Sequence, residues 1–145
     1  MKQLTANSLL ELDQFVKEYD STKTIVLLFT GTKTENGKSW CPDCVVADPI
    51  VESVVDQLKS DDGIVFITVP VGDLPTWKSA SNQYRSHAQY KVSCVPTMIN
   101  LKKGQRLEEG GCADENMVKQ LFQGTLESAT MSKAGTCEGG VCRIR

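Results

Sequence analysis

A mixed α/β domain, with a central sheet covered by helices on both faces, is the fold class this sequence predicts. Three observations carry it. Residues 24–29 and 63–69 are continuous apolar, β-branched runs with no polar face to show to water, as strands buried on both sides require. Stretches with apolar residues at helical spacing alternate with these runs. Late in the chain, residues 95–101 and 106–109 flank Lys102-Lys103-Gly104-Gln105, the pattern of a β-hairpin.

Taken in order, Leu9, Leu12, Phe15, Val16 and Tyr19 predict an opening amphipathic helix, followed by the strand at 24–29. The polar segment 31–39 reads as an exposed loop. A second helix begins at about Pro42, whose fixed φ and missing N–H suit a first helical turn. Ala47, Ile50, Val51, Val54, Val55 and Leu58 mark its buried stripe. Pro49 removes a backbone hydrogen bond inside that helix and is expected to kink it. After the strand at 63–69, residues 75–88 predict one partly exposed helix containing His87, read as a surface residue. The last helix runs from an Asp114 cap through Val118, Leu121 and Phe122 and stops near Gly124. The domain is assigned to residues 1–123. Residues 124–145, rich in Ser, Thr and Gly with little to bury, read as a flexible tail carrying Cys137 and Cys142.

With 145 residues, 40% of them apolar and 23% charged, the chain can bury the core of one ordinary globular domain. Its net charge of −2, with acids and bases scattered, predicts neither a nucleic-acid nor a membrane surface. The first residues lack the apolar stretch of a signal peptide, so a cytoplasmic location is expected. In a reducing compartment the six cysteines read as catalytic, regulatory or free thiols, not as structural staples.

The chemistry concentrates at Trp40-Cys41-Pro42-Asp43-Cys44, between the first strand and the second helix. Two cysteines at this spacing can close a disulfide on the first turn of a helix, where unsatisfied N–H groups and the helix dipole stabilise a thiolate. That suits reversible thiol–disulfide exchange. Cys41, at the solvent end, is expected to attack; Cys44, one turn inward, is expected to resolve the mixed disulfide. Asp43 brings a carboxylate close to the thiolate and tunes the pair with either sign. The competing reading is half of a zinc site, which Cys137 and Cys142 could complete, although their spacing is slightly long. No metal is expected.

Trp40-Cys41-Pro42-Asp43-Cys44, Pro49 five residues beyond it and Val95-Pro96-Thr97 together resemble the thioredoxin superfamily. The resemblance is closer to a branch with an extended loop before the motif. There the matching segments are Phe29-Thr30-Gly31, residues 37–44 and Pro75-Thr76-Trp77-Lys78, and the match spans roughly residues 4–123. It implies a cis peptide bond at Pro96, with Val95, Trp40, Pro42 and Asp43 forming and tuning the active-site rim. It also implies a protein-disulfide reductase without a cofactor of its own, recharged by thioredoxin reductase with NADPH held on that partner. Its substrates would be small or accessible disulfides such as cystine, filtered by the loop. Thioredoxins carry a buried acid in the strand beneath the motif; the matching position here is Leu28. The proton acceptor for Cys44 is therefore open, with Asp43 or water as candidates.

Four further cysteines carry alternatives. By resemblance, Cys94 lies where some thioredoxins have a surface thiol that forms intermolecular disulfides, or it is a small buried residue. Cys112, in Gly110-Gly111-Cys112-Ala113-Asp114, sits in a segment like the one with which glutaredoxins hold glutathione, or in a turn before a capped helix. Cys137 and Cys142 could reach Cys41 across fourteen residues, roughly 20 Å if flexible, as a relay, or belong to an inert tail. Glutathione-dependent reduction and a redox-inactive binding adaptor are the runner-up functions.

Overall fold

A computed structural model of the chain describes residues 1–35 and 37–126. Cys137 and Cys142, and the tail expected to carry them, lie outside the described residues. Five strands form one sheet: β1 (Lys2–Thr5), β2 (Thr24–Thr30), β3 (Ile64–Pro70), β4 (Thr97–Asn100) and β5 (Gln105–Glu108). The helices are α1 (Leu9–Tyr19), α2 (Pro42–Leu58), α3 (Leu74–Lys78), α4 (Gln83–Ser86) and α5 (Glu115–Gln123). The strand order is β1-β3-β2-β4-β5, parallel across β1, β3 and β2 and antiparallel from β2 to β4 to β5.

Strand β2 explains the two-layered core. Its side chains alternate, so Ile25, Leu27 and Phe29 enter one apolar cluster while Val26 and Leu28 enter the other. The first cluster packs Phe29 edge-on against Tyr84 at 5.7 Å and near Tyr90 at 5.6 Å, with Leu12 from α1 and Trp77 from α3. The second lies under α2 and α5, where Phe66 meets Phe122 edge-on at 5.3 Å, a contact worth about 1 kcal/mol beyond the area it buries. Burial on both faces is why the strand reads as an unbroken apolar run.

The expected elements differ from the structure in four places. Lys2-Gln3-Leu4-Thr5 is too polar to announce a strand, yet it pairs with Lys2 opposite Val65, a polar edge of the kind that discourages further pairing. Helix α2 runs through Pro49 without a break, and Pro49 is exposed, so the ring lies away from the packed stripe. Residues 75–88 are not one helix. Ser79 leaves the helical region at ψ 137°, and the Asn82 side chain, buried and accepting from Tyr84 and Arg85 N–H, starts α4 separately. His87 ends α4 half-buried, stacked on Tyr90 at 4.2 Å, with Nδ1 accepting from Gln89 and Tyr90 N–H. The hairpin forms with shorter strands than expected. Buried Asn100 ties it to α5 through its side-chain N–H and the Leu121 carbonyl, at 2.8 Å.

Candidate active site

Strand β2 delivers the chain to the sheet's C-terminal edge, where clefts outside parallel strands commonly hold function. There the loop folds back, Lys33 bridging to Ser39, and is fastened to the turn after β3. Thr32 N–H donates to the Gly72 carbonyl at 3.2 Å, and Trp40 Nε1–H donates to the same carbonyl at 2.8 Å. Gly31 permits this closure: a Cβ there would stand 2.6 Å from Ser39 Oγ and 2.8 Å from the Trp40 ring.

The folded loop places Cys41 at the N-cap of α2, a position usually held by Ser, Thr, Asp or Asn. Cys41 Sγ accepts the Cys44 N–H at 3.3 Å, and the Cys41 N–H donates to Ser39 Oγ at 3.1 Å. Pro42 occupies the first helical turn and Asp43 is exposed beside it. The Val95–Pro96 bond is cis and puts the Val95 carbonyl 3.5 Å from Cys41 Sγ, within reach of the thiol proton. Cys44 Sγ accepts the Gly31 N–H at 3.5 Å. Contrary to the expected exposed nucleophile, both thiols are buried: Cys41 retains 5% exposure and Cys44 none. The Val95 carbonyl lies against the Cys41 sulfur, which keeps only a small exposed area.

The two free thiols hydrogen-bond to each other. The hydrogen bond with Cys41, joined by the Gly31 N–H and the Thr30 hydroxyl, holds Cys44 below an ordinary thiol. The same sulfur–sulfur hydrogen bond, then burial and the neighbouring charge, pushes Cys41 up, and Asp43 adds to this. Asp43 therefore opposes ionisation of Cys41. The first proton leaves the pair easily and the second with difficulty. Each sulfur is offered a backbone N–H, so either can carry that single charge.

A buried helix-capping dithiol beside a cis-proline agrees with the comparisons to known proteins. The description "Thioredoxin domain-containing protein 17-like, thioredoxin domain" matches residues 5–124. This chain belongs to that family. It is 42% identical to human thioredoxin domain-containing protein 17 over 105 residues, covering 72% of this chain and 82% of that protein. The mouse protein of that name is 39% identical over 112 residues, covering 77% and 87%. Among solved structures, a thioredoxin from Fasciola hepatica superposes with a TM-score of 0.55 at 22% identity, covering 86% of this chain and 99% of that one. The germline-specific thioredoxin Deadhead of Drosophila melanogaster gives 0.54 at 21%, covering 84% and 98%. These two likenesses concern the fold. Membership of this thioredoxin-like family supports a thiol–disulfide oxidoreductase type of function.

In this member of the thioredoxin domain-containing protein 17-like family, the sequence brought Trp40, Cys41, Pro42, Asp43, Cys44, Val95 and Pro96 into one neighbourhood. Cys94 is half-buried, with Sγ 3.7 Å from Thr97 Oγ1, and burial followed by the Glu108 charge pushes it up to about 12. Cys112 is fully buried in the second core cluster, facing the Pro96 and Leu107 carbonyls. Its segment forms a 3₁₀ turn, Glu109–Ala113, and the Asp114 carboxylate itself accepts the Met117 N–H at the start of α5. The helix end proposed for glutathione is thus capped from within. Sequence reasoning missed Ser39, Thr30, Gly31 and Asp48. Only Asp48 had a readable signal, since it stands one helical turn after Cys44 on the same face. Among the described residues no cluster of three or more His, Cys, Asp or Glu could hold a metal ion, and no helix is long and apolar enough to cross a membrane.

Proposed function

We propose that the protein is a disulfide reductase in which Cys41 is the nucleophile and Cys44 the resolving thiol. The observation that carries this reading is the asymmetry of the pair: only Cys41 reaches the surface, and it does so as the helix cap receiving the Cys44 N–H. The Cys41 thiolate attacks one sulfur of the substrate disulfide, and the other sulfur leaves and takes a proton. Cys44 then attacks Cys41 Sγ, releasing the second substrate thiol and leaving Cys41–Cys44 oxidised. The substrate gains two electrons and the dithiol loses two, so each cycle needs an outside reductant. By family, thioredoxin reductase supplies it from NADPH held on that enzyme, in the cytoplasm, and this chain contributes only thiols.

The small exposed area of Cys41 and the loop pinned to Gly72 favour small or extended disulfides, such as cystine, over bulky folded ones. The test is reduction of cystine and of insulin with thioredoxin reductase and NADPH, compared with a general thioredoxin. The expected result is turnover of cystine at a rate close to that of thioredoxin and slower turnover of insulin. No NADPH consumption with either substrate overturns the reading and leaves a binding adaptor.

A further inference from the structure

The resolving step needs a destination for a proton. Cys44 has no exposed surface, so water in bulk cannot take it directly. Asp43 is exposed, and its charge acts on Cys41. The strand position beneath the motif is Leu28.

A cavity of about 380 Å³ lies beside that leucine, between the sheet and α2. Leu28, Thr30, Lys33 and Asp48 line it, so it is polar on one wall and large enough for several water molecules. The Thr30 hydroxyl acts on the Cys44 thiol, favouring its anion, and also lines this cavity. Asp48 follows Cys44 by four residues, which sets the two on one face of α2, and it is half-buried. The charged groups around it are Lys33 from the loop and Glu52 from α2. Farther along the cavity, Asp56 and Lys59 pair with each other at 3.1 Å, and Gln3 and Thr68 add neutral polar groups from the sheet.

We propose that Asp48, acting through the Thr30 hydroxyl and cavity water, receives the Cys44 proton in the resolving step. The proposal rests on the reductase reading above. As Cys44 Sγ bonds to Cys41 Sγ, the bond from Cys41 to the substrate sulfur breaks and that sulfur leaves as a thiolate. The Cys44 proton passes to Thr30 Oγ1, the Thr30 proton to water, and a water proton to the Asp48 carboxylate. No further oxidant or reductant enters. Burial raises the Asp48 carboxyl above its ordinary range, opposed by Lys33, which brings its proton affinity nearer that of a thiol. Asp48 is a positioning residue, because it meets Cys44 only through Thr30.

The test is stopped-flow reaction of the reduced full-length protein with an aromatic disulfide that releases a coloured thiolate. Replacing Cys94, Cys137 and Cys142 by serine removes every thiol outside the pair except the fully buried Cys112. The first phase reports attack by Cys41 and the second reports resolution by Cys44. Asp48→Asn, close to isosteric, is expected to keep the amplitude of the first phase, which also certifies folding. It is expected to slow the second phase roughly tenfold or more at neutral pH and move its pH profile upward. Asp48→Glu should restore the rate, and Asp56→Asn, farther along the same cavity, should leave it alone. A second phase in Asp48→Asn with the original rate and pH profile overturns the proposal alone. Absence of both phases in the parent protein overturns the reductase reading as well.

Discussion

The Cys41/Cys44 pair and the single Cys112 flank the Val95–Pro96 bond and are nearly equally buried, yet their surroundings oppose each other. Cys41 Sγ lies 3.5 Å from the Val95 carbonyl, and Cys112 Sγ lies 3.6 Å from the Pro96 carbonyl. Cys44 and Cys112 both have no exposed surface. Cys41 and Cys44, however, stand at the start of a 17-residue helix and each accepts a backbone N–H. Cys112 faces two carbonyls, and burial followed by its neighbours Cys94 and Cys44 drives it well above an ordinary thiol, opposed only weakly by the Met98 N–H. Depth therefore does not decide which thiol reacts. Donated N–H groups favour the anion, whereas carbonyls favour the S–H form.

The sharpest way to break this contrast is to remove these three sulfurs one at a time. Cys41→Ser is expected to lower disulfide reduction to the level of the protein-free control, read by NADPH consumption in the coupled assay. Cys44→Ser is expected to accumulate a mixed disulfide on Cys41, read by mass spectrometry of the intact protein. Equal accumulation by both variants would erase the assigned asymmetry. Cys112→Ser should do the reverse, leaving exchange within about twofold while lowering stability. A hydroxyl in that apolar cluster exchanges a weakly polar sulfur for a group whose burial costs about 1–3 kcal/mol when imperfectly hydrogen-bonded. Urea unfolding of the two variants side by side measures it. A Cys112→Ser protein as stable as its parent, but slow in exchange, would invert the contrast.

How far this was legible in the sequence follows the same division. The exchange pair announces itself because spacing along one helix turn fixes both cysteines together, and the Asp114 and Gly124 helix ends are equally local. The two-sided burial of 24–30 was visible because an unbroken apolar run allows little else. Strand β1 was not visible: its pairing with β3 comes from backbone hydrogen bonds that Lys2 and Gln3 do not advertise. Nor was the split between α3 and α4, which depends on a tertiary bond from the Asn82 side chain to the Val71 carbonyl. At the site, the burial of Cys41 was misjudged. Its sulfur meets the Val95 carbonyl, 54 residues away in the chain, a tertiary contact that no local pattern announces. Local pattern places a sulfur on a helix; it cannot say what closes above it.

The smallest expected effect concerns Cys94, which lies between the pair and Cys112 in sequence and is more exposed than any of the three. It is half-buried, and burial together with the Glu108 charge pushes its thiol up to about 12. At neutral pH it should therefore alkylate more slowly than an exposed cysteine, its rate still climbing above pH 9 where an ordinary thiol levels off. Peptide mapping after timed iodoacetamide labelling reads this site by site. The sign for stability follows: the folded chain holds this proton after the unfolded chain has lost it. The resulting stabilisation is complete below about pH 9, the ordinary value, and is lost as pH rises from there toward 12. Cys94→Ala should flatten that part of the pH dependence slightly. Labelling of Cys94 that levels off near pH 9 would show that half-burial beside Glu108 does not protect a thiol. The line between reactive and silent sulfurs would then fall between Cys94 and Cys112, not between the pair and Cys94.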